Sequence, residues 1–225
     1  PSLALIVPAL EGPFLVLRAP LGGELRVALQ QDGATVQVQC WRDACPAIDA
    51  GDSAAAWLSH HIGESVRLVR FLPSHRRLSS LEWTGGVEAE NRFSDGYPVL
   101  LLSQASLDDL NARLQQPVPM NRFRPNLVLH GLRAYHEDVV DELTVDELRL
   151  RAVKPCTRCI ITTTDQSSGE VSGPEPLQTL KTYRLSRQPA GVLFGQNLIV
   201  VRGAGSELRT GMELAVRFKA TGSAS

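Results

Sequence analysis

Two cysteines and two basic residues lie close together in the segment Lys154-Pro155-Cys156-Thr157-Arg158-Cys159. A thiolate is a soft metal ligand, and neighbouring positive charge favours the thiolate over the thiol. The β-branched run that follows, Ile160-Ile161-Thr162-Thr163-Thr164, predicts a strand with the thiols just before its first residue. The chemistry of this chain therefore depends on whether Cys159 binds a metal or is an ordinary buried thiol.

The Cys-x-x-Cys spacing leaves four interpretations open. A structural zinc site usually needs four ligands, and Cys40 and Cys45 complete such a set only if the fold happens to bring them near. A thioredoxin-like redox pair is typical of a strand-to-helix junction in a βαβ unit, whereas here a strand is predicted after Cys159. The other two interpretations are a pair of small buried hydrophobic residues, common for free cysteine, and a single thiolate bound to a redox metal.

Size and composition exclude several classes of protein. The 225 residues suit one large domain or two small ones, and 43% hydrophobic residues are ample for a core. The formal net charge of −1 gives no overall field toward nucleic acid or an anionic membrane, and no apolar run reaches the roughly 18 residues of a membrane span. Four cysteines are too few for a secreted disulfide scaffold and no leader pattern is seen, so we expect a cytoplasmic protein.

Short β-branched runs separated by turn residues predict a mainly β protein with a few short helices (α+β), built as a barrel or sandwich and not as a doubly wound parallel sheet. Gly22-Gly23 and Asp32-Gly33 indicate hairpin turns. Helices are predicted from an Asp52 N-cap to Gly63, from a capping-box-like start at Ser106 with Asp109, and over 176–184. Strands are predicted at 14–17, 35–39, 67–72, 98–102, 126–129, 147–153, 192–201 and 212–218.

Six blocks in a fixed order carry a resemblance to a known family. They are Asp95-Gly96-Tyr97-Pro98, Leu102-Ser103-Gln104-Ala105-Ser106-Leu107, Phe123-Arg124-Pro125-Asn126, Lys154 to Cys159, Glu175-Pro176-Leu177 with Leu180-Lys181-Thr182-Tyr183-Arg184, and Leu193-Phe194-Gly195-Gln196-Asn197. They resemble the MOSC domain of molybdenum cofactor proteins, closest to the mitochondrial amidoxime-reducing component and its bacterial relatives. Residues 1–75 resemble the C-terminal part of the β-barrel domain that precedes MOSC in this family. We therefore expect that part at 1–75, a connecting region at 76–94 and a MOSC β-barrel at 95–220.

The resemblance implies a molybdenum-molybdopterin cofactor whose dithiolene sulfurs bind the metal, with one protein cysteine as a further ligand. By position that cysteine is Cys159, and Cys156 is expected to be a packed thiol. Asp95 is the candidate proton donor, because reduction of an N–O bond consumes protons. The cofactor-binding residues implied by the same resemblance are Gly96, Tyr97, Arg124, Asn126, Thr157, Arg158, Cys159 and Asn197.

The implied activity is the two-electron reduction of small N-hydroxylated molecules, such as amidoximes, hydroxylamines or N-hydroxylated bases. Two alternatives stay open: a molybdenum oxotransferase acting on another small substrate such as an S-oxide, and a non-catalytic carrier of sulfur or cofactor. Family residues that help to bind the cofactor phosphate would precede Pro1, so we expect a truncated start and weak or absent cofactor binding by this chain. Electrons are expected from a separate reductase, because no cluster-type cysteine run precedes Ser225.

Overall fold

The structure is a computed structural model that describes residues 2–20 and 22–220. The chain divides into two compact units, one comprising Pro1–Arg77 and Thr164–Ser172 and the other Leu78–Thr163 and Gly173–Ser225. The chain start expected to be truncated, Pro1, and the end of the chain at 222–225 lie outside the described residues. The segment bounds at 75 and 95 remain a prediction.

The first unit contains six strands, one α-helix and one 3-10 turn among its described residues. These are the 3-10 turn Ser2–Leu5, β1 Val7–Glu11, β2 Phe14–Arg18, β3 Glu24–Ala28, β4 Thr35–Cys40, β5 Asp43–Asp49, α1 Asp52–Ile62 and β6 Val69–Phe71. The strands form two antiparallel sheets, ordered β1-β2-β3 and β4-β5-β6. The hairpin predicted at Gly22-Gly23 is confirmed, because this pair lies between the antiparallel strands β2 and β3. The hairpin predicted at Asp32-Gly33 is wrong, because the flanking strands β3 and β4 belong to different sheets.

The prediction that Asp52 caps helix α1 is wrong by one residue. Gly51 is the N-cap and Asp52 is the first helical residue. The Asp49 carboxylate accepts a hydrogen bond from Gly51 N at 2.7 Å, and Asp52 instead accepts one from Arg67 at 2.8 Å. The predicted end of the helix is confirmed at Gly63, whose φ of 82° lies in the left-handed region that favours glycine.

Among its described residues, the second unit has a mixed sheet of seven strands, three short α-helices and the 3-10 turns Met120–Phe123, His136–Val139 and Ile160–Thr163. Its elements are α2 Leu81–Thr84, β7 Val99–Ser103, α3 Gln104–Arg113, β8 Leu127–Leu129, β9 Val140–Val145, β10 Leu148–Arg158, α4 Leu177–Arg184, β11 Leu185–Arg187, β12 Ala190–Arg202 and β13 Ala215–Phe218. The strand order is β13-β9-β10-β12-β7-β8, with β11 paired to β12 beside this path. Strands β7 and β8 are parallel, and the other pairings are antiparallel. The mainly β class with a few short helices is confirmed.

The helix predicted to start at Ser106 starts earlier, with Ser103 as its N-cap. Ser103 Oγ accepts a hydrogen bond from Ser106 N at 3.1 Å, and both hydroxyls donate to the buried Glu137 carboxylate at 2.9 and 2.8 Å. Asp109 accepts from Arg113 at 2.8 Å and is not part of the cap. The capping-box prediction is therefore wrong. Ser103 caps the helix, and the hydroxyls of Ser103 and Ser106 both bond to the buried Glu137 carboxylate.

The connecting region predicted at 76–94 contains helix α2, which packs against β10. The Arg151 guanidinium donates to the Thr84 carbonyl at 2.7 Å, and Lys154 Nζ lies 4.7 Å from the centroid of the Trp83 ring. This helical turn therefore covers part of the second unit's sheet. No described helix has the length and apolarity needed to cross a bilayer.

Two apolar clusters lie on opposite faces of the seven-stranded sheet. Leu101 and Leu102 are successive residues of β7 and belong to different clusters, as the alternation of strand side chains requires. We name the two sides the core-1 face and the core-2 face. Core 1 contains Leu101, Val140, Leu143, Leu148, Leu150, Ala152 and Leu198, and core 2 contains Leu102, Leu107, Leu110, Val118, Phe123, Leu180 and Phe194. Helices α3 and α4 thus cover the core-2 face.

Candidate functional site

Cys159 directly follows the last residue of β10 and is exposed. The prediction of a strand after it is wrong, because Ile160–Thr163 is a 3-10 turn. The thiols therefore lie at the C-terminal end of the preceding strand. Although the chain passes here from strand to helical turn, β10 pairs antiparallel with β12, unlike the strands of a βαβ unit.

Local hydrogen bonds hold the turn after Cys159. Thr162 donates to the Cys159 carbonyl from its backbone N at 3.2 Å and from Oγ1 at 3.0 Å, and Thr163 Oγ1 donates to the Ile160 carbonyl at 2.7 Å. Thr162 and Thr163 are buried, whereas Ile160 and Ile161 are 72% and 51% exposed. Threonine hydroxyls that bond to nearby carbonyls compete with strand formation, which explains why a β-branched run turns here.

Arg158 connects the thiol segment to the turn that precedes Arg124. Its Nη1 donates to Cys156 Sγ at 3.0 Å, and its Nη2 donates to the Phe123 carbonyl at 2.6 Å. The guanidinium also lies over the Phe123 ring, 5.6 Å from its centroid. The Arg158 Nε is buried and has no hydrogen-bond partner among the described residues. Arg158 therefore positions Cys156 and leaves one buried N–H donor unused.

Arg124 ends the 3-10 turn Met120–Phe123 in a left-handed conformation with a φ of 52°. It is exposed, and no carboxylate pairs with it in the described part of the chain. The buried Arg122 was not among the predicted site residues. Its Nη1 donates to the Thr163 carbonyl at 2.9 Å and so ties this turn to the one after Cys159. Nothing in the residue types of this block indicates that Arg122 is buried while Arg124 is exposed.

Asn126 and Asn197 belong to one row across the sheet. Asn126 accepts a hydrogen bond from Leu100 N through Oδ1 at 2.8 Å and donates its own N–H to the Leu100 carbonyl at 2.9 Å. Leu100 is the register partner of Asn197, and Asn197 in turn lies opposite Lys154. Directly opposed residues project from the same face, so Asn197, Leu100 and Lys154 share one face. The fold thus brings two predicted cofactor residues, Asn126 and Asn197, into one row. The side-chain oxygen of Asn126 already accepts a hydrogen bond from Leu100 N of β7.

Thr157 projects from the other face of β10. It lies between Cys156 and Arg158, whose side chains contact each other and therefore share a face. A Cβ built on Gly191 would meet the Thr157 side chain at 3.3 Å, which places that side chain next to β12. The Thr157 side chain therefore points away from the Cys156 thiol, and only its backbone groups could contact a ligand on the side of that thiol.

Asp95, Gly96 and Tyr97 lie in the irregular segment before β7. Asp95 is exposed, and a Cβ built on Gly96 would meet no atom within 4 Å, so the space beside this glycine is open. Burial raises the pKa of the Tyr97 phenol, and the nearby Glu82 carboxylate raises it further. Tyr97 is therefore a protonated hydroxyl at neutral pH. Neither Gly96 nor Tyr97 forms a hydrogen bond to Cys159 within the described residues.

The described residues contain no group of three or more His, Cys, Asp or Glu side chains that could hold a metal ion. The four-cysteine zinc interpretation therefore finds no support in residues 2–20 and 22–220.

The MOSC domain family matches residues 88–215, and the MOSC N-terminal beta barrel domain family matches residues 1–65. Among curated relatives, the chain is 36% identical over 201 residues to the mitochondrial amidoxime-reducing component 1 of Mus musculus, covering 87% of this chain and 59% of that protein. It is 35% identical over 190 residues to the mitochondrial amidoxime reducing component 2 of Bos taurus, covering 82% and 56%. It is 34% identical over 202 residues to component 1 of Homo sapiens, covering 88% and 60%.

The chain thus spans between 56% and 60% of the length of these three relatives. A solution structure of a Bordetella bronchiseptica protein is 31% identical over 32% of this chain and 59% of that one, with a TM-score of 0.30, which is too low to compare the folds. The MOSC match covers more than half of the 225 residues, and it includes every predicted site residue from Asp95 to Asn197. On this ground the chain belongs to the MOSC domain family.

Proposed function

We propose that this chain holds a molybdenum-molybdopterin cofactor through Cys159 and serves the reduction of small N-hydroxylated molecules. Three relatives with 34% to 36% identity are named amidoxime-reducing components, and an amidoxime is an N-hydroxylated compound. The single observation that carries the proposal is the exposed thiol of Cys159 at the end of β10. Its sulfur makes no hydrogen bond within the described residues, so it is available to a ligand.

The residues near Cys159 fit an anionic group that carries its own metal. The described chain offers one exposed thiol here and no cluster of protein ligands, which suits a cofactor with two sulfur donors of its own. A buried donor without a partner costs about 1–3 kcal/mol, so an acceptor atom placed at Arg158 Nε would remove an existing penalty. The Arg124 guanidinium, which pairs with no carboxylate among residues 2–20 and 22–220, can hold phosphate oxygens in a bidentate contact.

When bound, the cofactor supplies the electron chemistry that breaks the N–O bond. The chain's own residues hold and orient it: Cys159 as a thiolate ligand, and Arg124, Asn126 and Arg158 as hydrogen-bond donors. Gly96 and Thr157 would offer backbone N–H groups, and Tyr97 and Asn197 their side-chain hydroxyl and carboxamide. We assign to Asp95 the delivery of a proton from its carboxyl group to the leaving oxygen, because the products are an N–H compound and water.

The proposed partners are a small N-hydroxylated substrate and a separate electron-donating reductase. Neither nucleic acid nor a membrane has a part in the proposal, and the cytoplasmic location stays a prediction. The near-neutral balance of 23 basic and 24 acidic residues provides no overall field that would gather nucleic acid or an anionic membrane.

The experiment compares the unchanged chain with Cys159→Ala and with Cys156→Ala as a matched control. All three are produced in a host that makes the cofactor. Molybdenum per chain is measured by elemental analysis, and benzamidine formation from benzamidoxime is measured with reduced viologen as the electron source. We expect Cys159→Ala to lose both molybdenum and turnover. Cys156→Ala should keep most of its molybdenum, because the Cys156 thiol already contacts Arg158.

Equal molybdenum in the unchanged chain and in Cys159→Ala would refute the ligand assignment. Molybdenum retained by the unchanged chain without any benzamidine formation would favour a carrier. Turnover of an S-oxide in place of benzamidoxime would favour the oxotransferase.

A further inference from the structure

Strand β10 has an irregular register between Ala152 and Lys154. Ala152 lies opposite Leu198 of β12, but Lys154 lies opposite Asn197, so the two steps along β10 match a single step along β12. The pairing with β12 also shifts between Arg149 and Leu150, but the side chains of Leu148, Leu150 and Ala152 alternate regularly along β10 and are all buried in core 1. A regular continuation would have directed the Lys154 ammonium into the same apolar cluster.

The bulge instead turns Lys154 to the face that carries the candidate site. The register shifts again between Pro155 and Thr157, but Arg158 lies opposite Val192, which packs against core 2, and its guanidinium lies over the Phe123 ring of core 2. Arg158 therefore projects from the core-2 face, and its Nη1 donates to Cys156 Sγ at 3.0 Å. On the neighbouring strand β12, Asn197 lies opposite Lys154 and projects from the same face. Bulges beside functional sites commonly re-aim a side chain in this way. Lys154 therefore lies opposite the predicted cofactor residue Asn197 and on the same strand as the Cys156 thiol.

No carboxylate neutralises the Lys154 ammonium within the described residues. Its Nζ lies 4.7 Å from the Trp83 ring centroid, and this cation–π contact orients the ammonium without cancelling its charge. Arg124 and Arg158 also lack a carboxylate partner in the same part of the chain. No carboxylate in the described part of the chain therefore neutralises these three cations of the candidate site, which favours an anionic ligand.

We propose that Lys154 contacts a phosphate-like oxyanion in this site. The identity of the oxyanion rests on the proposed function, since it is either the phosphate of the cofactor or an anionic group of the substrate. A lysine ammonium binds phosphate as a compact point charge with three donors, and it needs no fixed bidentate geometry. The Lys154 side chain leaves the Trp83 ring to make this contact.

The experiment titrates inorganic pyrophosphate into chain produced without cofactor and follows Trp83 fluorescence. Trp41 and Trp57 are replaced by phenylalanine in every variant, so that Trp83 alone reports. Lys154→Met keeps the apolar stem on the ring and removes the charge, and Lys154→Arg restores a cation. Lys219→Met is the matched control, because Lys219 is exposed beyond β13 and donates to the Asp138 carbonyl.

We expect Lys154→Met to weaken pyrophosphate binding about tenfold, which corresponds to about 1.4 kcal/mol. Lys154→Arg should bind within about twofold of the unchanged chain, and Lys219→Met should not differ from it. The difference should shrink at high salt, because screening weakens contacts between partly exposed charges. Equal affinity for Lys154→Met and Lys219→Met would overturn the inference.

A second measurement identifies the source of the oxyanion. If it is the cofactor phosphate, cofactor-loaded Lys154→Met retains less molybdenum per chain than Lys219→Met. If it is a substrate group, molybdenum is unchanged and the KM for 4-carboxybenzamidoxime rises relative to that for neutral benzamidoxime. Lys154-dependent pyrophosphate binding in a chain that never takes up molybdenum would refute the proposed function alone. Full molybdenum with Lys154-independent binding would refute this inference alone.

Discussion

Gly195 allows the close approach of β12 to β7, and replacing it by alanine is the sharpest test of the sheet beneath the site. Its φ is 92°, and a Cβ built on it would lie 2.6 Å from the Leu101 carbonyl oxygen and 3.1 Å from Leu102 Cδ2. The next residue along β12, Gln196, is the register partner of Leu101. A shift of the chain at Gly195 would therefore move Asn197, which is a predicted cofactor residue.

The expected cost has two parts. A non-glycine residue in this backbone region costs about 1–3 kcal/mol. The contact with the Leu101 oxygen is far below van der Waals distance, so the Gln196–Leu101 backbone pairing must loosen, at a further cost of about 0.5–1.5 kcal/mol. We expect Gly195→Ala to lose about 1.5–4.5 kcal/mol of unfolding free energy in total.

Gly205 provides the matched control. Its φ is 93°, nearly that of Gly195, but a Cβ built on it meets no atom within 4 Å. Gly205→Ala should therefore show the backbone part alone. Urea unfolding followed by far-UV circular dichroism measures both variants, and Trp83 fluorescence is a second probe of the same unit in chains whose Trp41 and Trp57 are replaced by phenylalanine. Equal losses for the two variants would refute the close approach of β12 and β7 described above.

Two further predictions concern buried polar contacts. Glu137→Gln replaces an acceptor of the Ser103 and Ser106 hydroxyls by a donor amide, and it should cost about 1–3 kcal/mol in urea unfolding; a loss under about 0.5 kcal/mol would contradict the contacts. Hydrogen bonds from Arg113 and Tyr135 hold the pKa of Asp109 below its ordinary value. Their stabilisation is present above the unfolded pKa of about 3.9 and is lost as pH falls through the lower folded pKa. Asp109→Asn should therefore be less stable than the unchanged chain at pH 7 and lose less stability on acidification, and parallel melting-temperature curves from neutral to acid pH would exclude this linkage.

Residue types and order were sufficient for a large part of the molecule. The six blocks indicated the family now supported by the match over 88–215. Gly63 marked the end of α1 because only a residue tolerant of a positive φ closes a helix cheaply. Strand β12 was expected over 192–201 and spans Ala190–Arg202, because strand-forming apolar residues flank Gly195-Gln196-Asn197 on both sides. The helix expected over 176–184 forms at Leu177–Arg184.

Local patterns failed where a distant contact determined the backbone. The run after Cys159 has strand-forming residues, but it turns, because Thr162 and Thr163 bond back to local carbonyls and Arg122 holds the Thr163 carbonyl from another turn. In the same way, the start of α3 depends on Glu137, which is remote in sequence, because its buried carboxylate accepts hydrogen bonds from the Ser103 and Ser106 hydroxyls. Neither Arg122 nor Glu137 carries a sequence signal for burial, since burial depends on what packs around it.

The sequence by itself determined which side chains are available to the site: one candidate thiol ligand, the basic residues around it and two asparagines. Only the tertiary structure decided which of them share a face. The alternation of Leu148, Leu150 and Ala152 would have directed Lys154 into core 1, and the bulge against β12 turned it toward Asn197. Register between strands reflects the free energy of the whole pairing, and a shift of one residue moves a side chain to the opposite face.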